Sequence, residues 1–290
     1  MFKGSIVALV TPFANGKVDY EKLDELIEWQ IRCGTSAVVP VGTTGESPTL
    51  SHEEHREVIR FVVQKTAHRI PVIAGTGSNS TAEAVSLTQF AEKAGADAAL
   101  VVVPYYNKPS QAGLYEHFRV VAASVKIPIV LYDVPARTVV SLAPDTVARL
   151  AKIANIRALK DATGSTGNVT QVLGLCDIAV LSGDDGLALP MMAVGARGVI
   201  SVLANLVPEE MKKLCDLALA NDFAAARPLH DRLFRLGKAI FAETNPVGIK
   251  TAMKLAGRLN GEMRLPLVPM GAENEKTLRR AMVQFGLLKE

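Results

Sequence analysis

The chain has 290 residues, 49% of them hydrophobic, which fits one large α/β domain alone or with an appendage. Its net charge of +3 is spread along the sequence, which argues against a nucleic-acid surface, and no apolar run approaches the ~20 residues of a membrane span. Three widely spaced cysteines (Cys33, Cys176, Cys215) without a CxxC motif point to a reducing compartment and against a disulfide framework.

A first β-rich run at 6–10 begins too early for a signal or transit peptide to precede it, so a cytoplasmic protein is expected. Further apolar runs follow at 37–41, 70–74, 98–103, 127–132, 156–160, 178–181 and 198–202. They are mostly continuous rather than alternating, as strands covered on both faces are. Helical periodicity lies between them, for example at 22–31, 53–64 and 82–94. Two of these helices carry capping-box signals, Ser51 with Glu54 and Ser80 with Glu83. The strand starts are about twenty to thirty residues apart, the length of a βα repeat. Eight such units predict an α/β fold, a (β/α)8 TIM barrel, ahead of a doubly wound open sheet. The strand signal stops near Asn221, and helices are expected at 224–240, 246–256 and 276–288, with a proline-containing stretch at 265–269. The expected organisation is a catalytic barrel over 1–221 and a helical appendage over 222–290, packed on the barrel or on a partner.

Barrel active sites lie at the C-terminal ends of the strands. Here those ends read Thr11-Pro12, Gly42-Thr43-Thr44-Gly45-Glu46-Ser47, Gly75-Thr76-Gly77, Tyr105-Tyr106-Asn107, Tyr132-Asp133-Val134-Pro135 with Arg137, Lys160, and Gly183-Asp184-Asp185. Loops are polar because they meet water, which accounts for Asp184 and Asn107 but less well for paired tyrosines, paired threonines and a lysine. Strand periodicity places Ile156, Ala158 and Lys160 on one face, leading the amine inward. A buried ammonium is costly and tends to be left neutral, and a neutral amine attacks carbonyls, so Schiff-base chemistry is one reading. Snorkelling of Lys160 to water at the strand mouth is the other.

Successive strands should pair, bringing Tyr132 to about 5 Å from Lys160, where a phenol can exchange protons with a carbinolamine. Thr43 and Thr44 offer hydroxyls and backbone N–H groups in a glycine-flanked turn suited to a carboxylate. Arg137 offers a planar fork for a second carboxylate. Gly75-Thr76-Gly77 is neither a dinucleotide fingerprint nor a P-loop. His52-Glu53-Glu54-His55 is not HExxH and reads as exposed helix-start residues, and the absence of histidines from the strand ends argues against a zinc aldolase.

These residues, with Ala8-Leu9-Val10-Thr11-Pro12-Phe13, Pro104-Tyr105-Tyr106-Asn107-Lys108-Pro109 and Leu181-Ser182-Gly183-Asp184-Asp185, resemble the dihydrodipicolinate synthase family over nearly the whole chain. The resemblance implies condensation of pyruvate with L-aspartate 4-semialdehyde in lysine biosynthesis, with no redox cofactor and no catalytic metal. It implies that Lys160 forms the imine, that Tyr132, Thr43 and Tyr106 form a proton relay, and that Tyr106 reaches in from a neighbouring subunit of a homotetramer built from tight dimers. It further implies that Thr44, the Ile200 backbone and Gly183 hold pyruvate and that Arg137 holds the semialdehyde carboxylate. Asp133 stands where the family commonly has Asn, which would add charge near the mouth, and Asp161 where Glu is more usual.

The positions matching a family regulatory site for L-lysine are Ser47, Pro48, His52, His55, Asn79, Glu83 and Tyr105. In that reading Glu83 neutralises the ligand's amine and His55 contacts its side chain. The competing reading has Glu83 only completing the Ser80 capping box and the histidines merely solvated. The nearest rival activity is another pyruvate-type aldolase, an N-acetylneuraminate lyase or keto-deoxy-sugar aldolase. The paired threonines and Arg137 weigh against a sugar substrate, and the complete proton relay weighs against a non-catalytic keto-acid sensor.

Overall fold

The computed structural model describes residues 1–289. Eight strands run parallel: β1 (Gly4–Ala8), β2 (Ala37–Val39), β3 (Ile73–Gly75), β4 (Ala98–Val102), β5 (Ile129–Asp133), β6 (Ile156–Asp161), β7 (Ala179–Ser182) and β8 (Gly198–Ser201). The hydrogen-bonded order is β2-β1-β8-β7-β6-β5-β4-β3, and the Val38–Val72 bridge joins the last to the first, closing the barrel. Prolines trim the expected runs. Pro71 and Pro128 cannot donate to the ladder, so β3 and β5 begin after them, and Pro40 ends β2.

Alternation sorts side chains between two cores. Val130, Tyr132, Ala158, Leu181 and Ile200 fill the barrel interior, whereas Ile129, Leu131, Leu159 and Val180 face the helices. One sequence expectation fails. The β5–β6 register passes from Ile129↔Ile156 to Val130↔Ala158, leaving Arg157 as an extra residue in a bulge. Ile156 therefore packs in the outer core, and only Ala158 shares the inward face with Lys160.

The surrounding helices are α1 (Tyr20–Arg32), α2 (His52–Thr66), α3 (Thr81–Ala94), α4 (Gln111–Ala123), the short α5 (Pro135–Thr138), α6 (Pro144–Leu150), α7 (Thr166–Leu175), α8 (Ala188–Ala193) and α9 (Pro208–Leu219). Ser51 and Glu54 form the expected capping box on α2, satisfying two backbone donors that have no intrahelical partner. Ser80 does not cap α3: Glu83 turns instead to the Ser78 hydroxyl. A hairpin of Phe13–Ala14 with Lys17–Val18 was not expected, although its Asn15-Gly16 turn, both residues at positive φ, is a strong hairpin signal. No helix among the described residues is long and apolar enough to cross a membrane.

After Asn221, which takes a left-handed φ of 60°, come α10 (Phe223–Ile240), α11 (Val247–Leu255) and α12 (Ala272–Phe285). Of these, α10 lies against α8, α9 and the strand-seven loop, and α11 and α12 pack on α10. A buried ion pair bolts them to the threonine turn. Lys250 on α11 meets Glu46, and each side chain is 1% exposed. Glu46 takes a left-handed φ of 55°, and its second oxygen accepts the Arg264 N–H at 3.1 Å. Lys250 also donates to the Glu262 carbonyl at 2.9 Å and lies over the Phe13 ring at 4.3 Å. Burial pulls the Lys250 amine below the ordinary lysine range, and the Glu46 carboxylate opposes that shift. Lys250→Met should strand a buried carboxylate and cost about 3–5 kcal/mol in urea unfolding, most of which the Glu46→Gln/Lys250→Met pair should recover.

Candidate active site

Strand alternation and the parallel register bring the candidate residues to one end of the barrel. Tyr132 and Lys160 are directly opposed across β5 and β6, and both point inward. The Lys160 side chain is 6% exposed, and its amine lies 4.0 Å from the centroid of the Tyr132 ring. Among the described residues, no carboxylate lies within 4.0 Å of that amine. Snorkelling to water is thereby excluded as the reason for its placement. Gly183 sits beside the lysine stem, where a Cβ would stand 3.2 Å from Lys160 Cε and 2.8 Å from the Ala162 Cβ. Any side chain there would displace the amine.

A cavity of about 470 Å³ opens over this end, and Thr43, Tyr132 and Arg137 are on its wall. Lys160, Thr44, Gly183 and Ile200 are not on the wall. Lys160 lies against the Tyr132 ring, and Ile200 is a buried interior residue beside Ile6. Thr44 is 2% exposed and accepts the Asn245 amide at 3.0 Å. Arg137 stands at the exposed rim and donates to the Asn245 carbonyl at 3.1 Å. Gly75 and Gly77 let backbones meet, since a Cβ would fall 2.5 Å from the Val41 carbonyl oxygen and 2.3 Å from the Val102 nitrogen respectively. That close approach sets the shape of the floor.

The expected proton relay is only partly assembled in one chain. Among the described residues, no hydrogen bond links Tyr132, Thr43 and Lys160 to one another. Tyr106 is 88% exposed and adopts a left-handed φ of 71°, a strained backbone for a bulky residue. Among the described residues, no hydrogen bond or ring contact joins it to Tyr132.

The same cavity continues over Ser47, Pro48, His52, His55, Glu83 and Tyr105. Asn79 is off the wall, its carbonyl accepting from the Asn107 amide at 2.8 Å. Glu83 lies 3.1 Å from His52 and holds the Ser78 hydroxyl, so its expected capping of α3 is replaced by a contact at the cavity edge. The expectation that both histidines are exposed fails for His55. It shares the buried face of α2 with Val58, Ile59 and Val62, donates from Nε2 to the Gly75 carbonyl at 2.8 Å, and is held below the usual histidine range by burial.

Asp133 also departs from expectation. It alternates away from the cavity, and its Oδ2 accepts the Ser141 hydroxyl at 2.6 Å and the Leu142 N–H at 3.0 Å. Charge at the mouth is therefore not its effect; it pins the segment after α5. Asp161 likewise organises the loop before α7 through Thr163 and Asn168. Sequence reasoning missed the whole contribution of residues 244–264. The only signal was a lysine within the apolar helix 247–255. Among the described residues, no group of three or more His, Cys, Asp or Glu side chains could hold a metal ion.

A lysine amine on a tyrosine ring at the C-terminal end of a closed barrel, below a cavity rimmed by an arginine, is the layout of an imine-forming lyase. The family follows from comparison: residues 1–285 match the dihydrodipicolinate synthetase family, and the chain belongs to it. It is 53% identical over 290 residues to the 4-hydroxy-tetrahydrodipicolinate synthase of Geobacter metallireducens, covering 99% of this chain and 100% of that one. The chloride-inhibited dihydrodipicolinate synthase of Acinetobacter baumannii, solved in complex with pyruvate, superimposes with a TM-score of 0.97 at 45% identity, covering 99% of this chain and 100% of that one. The enzyme of Cyanidioschyzon merolae, solved with lysine bound, superimposes with a TM-score of 0.96 at 39% identity, covering 99% of each chain.

Burial pushes the Asp133 carboxyl from 3.8 up to about 6, against the Ser141 and Leu142 hydrogen bonds that favour its charged form. A pKa raised on folding gives stability that is full below pH 3.8 and is lost as pH rises through 6. Asp133→Asn should therefore gain on wild type across that window, by up to about 3 kcal/mol, with a constant difference above it. Urea midpoints of the two proteins at matched pH check this.

Proposed function

We propose that the chain condenses pyruvate with L-aspartate 4-semialdehyde to 4-hydroxy-tetrahydrodipicolinate, the dihydrodipicolinate synthase step of lysine (diaminopimelate) biosynthesis. The observation that carries the proposal is the Lys160 amine, buried, free of carboxylate partners within 4.0 Å and 4.0 Å from the Tyr132 ring. In this reading the amine adds to the pyruvate ketone, and loss of water from the carbinolamine leaves an imine. Loss of a methyl proton gives the enamine, whose carbon attacks the aldehyde. The amino group of the second substrate then displaces Lys160 from the imine carbon, closing the ring and freeing the lysine. Tyr132 and Thr43 exchange the protons, with Tyr106 of a neighbouring copy completing the relay. The exposure and strained backbone of Tyr106 fit a residue that works across an interface.

Thr44, the Ile200 backbone and Gly183 receive the pyruvate end, and Arg137 receives the semialdehyde carboxylate. No redox cofactor or metal takes part. The catalytic unit is the barrel over 1–221, with 222–290 as its helical appendage, in a cytoplasmic homotetramer assembled from dimers. Ser47, Pro48, His52, His55, Asn79, Glu83 and Tyr105 form the L-lysine site, where Glu83 meets the ligand's amine. The continuity of all of these residues except Asn79 with the substrate cavity supports feedback at this position. His55 contributes through its Nδ1, since Nε2 is committed to Gly75.

Pyruvate followed by borohydride should trap an adduct whose mass maps to the Lys160 peptide in wild type and is absent from Lys160→Ala; an untrapped wild type would sink the mechanism. Tyr132→Phe should lower turnover by about 10²–10⁴-fold while leaving the protein folded. Aspartate semialdehyde should be consumed and sialic acid should not. Lysine should inhibit wild type, and Glu83→Ala should weaken that inhibition by about tenfold, since a charge-assisted contact is lost.

A further inference from the structure

Residues 241–246 join α10 to α11, and Thr244 and Asn245 lie against both anion-holding groups of the candidate site. The Asn245 side-chain Nδ2 donates to the Thr44 hydroxyl at 3.0 Å. The Asn245 backbone carbonyl accepts from Arg137 at 3.1 Å, and the Thr244 hydroxyl lies 3.4 Å from the same nitrogen. Thr44 and Arg137 follow different strands, and Asn245 touches both. We propose that Asn245 is a positioning residue of that reaction: its side chain orients Thr44 as a donor to the keto-acid carboxylate, and its backbone fixes the Arg137 fork. This rests on the roles of Thr44 and Arg137 given above.

The polarity of the contact decides the direction of the Thr44 hydrogen. A hydroxyl has one hydrogen to give and two lone pairs to offer. Thr44 is buried, so its partners rather than bulk water decide where its hydrogen points. An amide N–H occupying one lone pair leaves that hydrogen free and polarises it toward an anion. The amide oxygen of Asn245 is buried and has no partner among the described residues, so the Nδ2 contact with Thr44 is the hydrogen bond its side chain makes.

The segment is held rigidly enough to do this. Glu243 accepts from the Gly271 N–H at 2.9 Å and the Asn274 amide at 2.8 Å, tying the start of the segment to α12. At Gly248 a Cβ would stand 1.8 Å from the Ile240 carbonyl oxygen, so the first turn of α11 admits glycine alone where it meets the end of α10. Beyond it, Lys250 grips Glu46. The threonine turn is thus held at two points, Thr44 and Glu46, by one short stretch of the appendage. Preorganisation of this kind lets binding energy go to the substrate rather than to ordering the site.

Asn245→Asp and Asn245→Ala separate this role from mere packing. The aspartate would accept the Thr44 hydrogen and set a negative charge beside the keto-acid carboxylate; the alanine removes the orientation without adding charge. Asn245→Ala should raise the KM for pyruvate about tenfold, and Asn245→Asp should raise it further, as expected for loss of a hydrogen bond to a charged group. The KM for the semialdehyde should move much less, because the backbone carbonyl serving Arg137 survives both changes. In a Thr44→Val background, Asn245→Ala should add nothing to the KM for pyruvate. A KM for pyruvate within about twofold of wild type in both variants, equal rises in both KM values, or additivity with Thr44→Val would overturn the proposal. Borohydride trapping on wild type is run alongside: a missing adduct there defeats the imine mechanism itself, whereas normal trapping with an unmoved KM defeats only the role of Asn245.

Discussion

The buried contact between Glu46 and Lys250 is the constraint on which the site depends. Neither charge can be left alone in an apolar interior, so each side chain dictates the other's position. For Lys250 that means α11 must dock against the barrel. For Glu46 it means the turn after β2 must adopt a left-handed residue and hold one shape. Thr43 and Thr44 ride on that turn. Arg264 extends the grip, donating its backbone N–H to Glu46 and its guanidinium to Glu54, the residue that closes the α2 capping box. A single polar network therefore ties together the threonine turn, the first turn of α2 and the appendage.

The chemistry is placed by simpler means. Parallel pairing sets Tyr132 opposite Lys160, and alternation sends both inward. The bulge at Arg157 keeps that phase correct, because with Ile129 opposite Ile156 and no extra residue Tyr132 would pair with Leu159 and Lys160 would turn outward. Pairing of β6 with β7 then brings Gly183 to the lysine stem, and closure of the barrel brings in the Gly42–Ser47 turn from β2. At Gly75, Gly77 and Gly183 the neighbouring chain comes so close that no Cβ fits.

Much of this is legible in the sequence. The eight apolar runs, their spacing and their polar ends follow directly from covering both faces of a parallel sheet, and prolines account for the trimmed strand ends. Lys160, Tyr132, Thr43 and Arg137 stand out because amine, phenol, hydroxyl and guanidinium groups interrupt apolar runs at the end of the barrel where chemistry occurs. Local alternation could not show the bulge, which depends on how β5 and β6 pair. The same limit hid the burial of His55 and the contact of Glu83 with Ser78. Each is decided by which neighbour lies across the gap, and a motif read along one segment does not contain that neighbour.

What the sequence by itself determined is the architecture and the chemical inventory, because periodicity and residue type act over a few neighbouring positions. What only the tertiary structure decided is the partnership between distant segments. Asn245 and Lys250 look like ordinary residues around a helix start, yet the fold sets one on Thr44 and the other on Glu46, about two hundred residues away. A hydrogen bond reaches only a few ångströms, so which groups meet is settled by packing, and packing joins positions that the order of residues keeps apart.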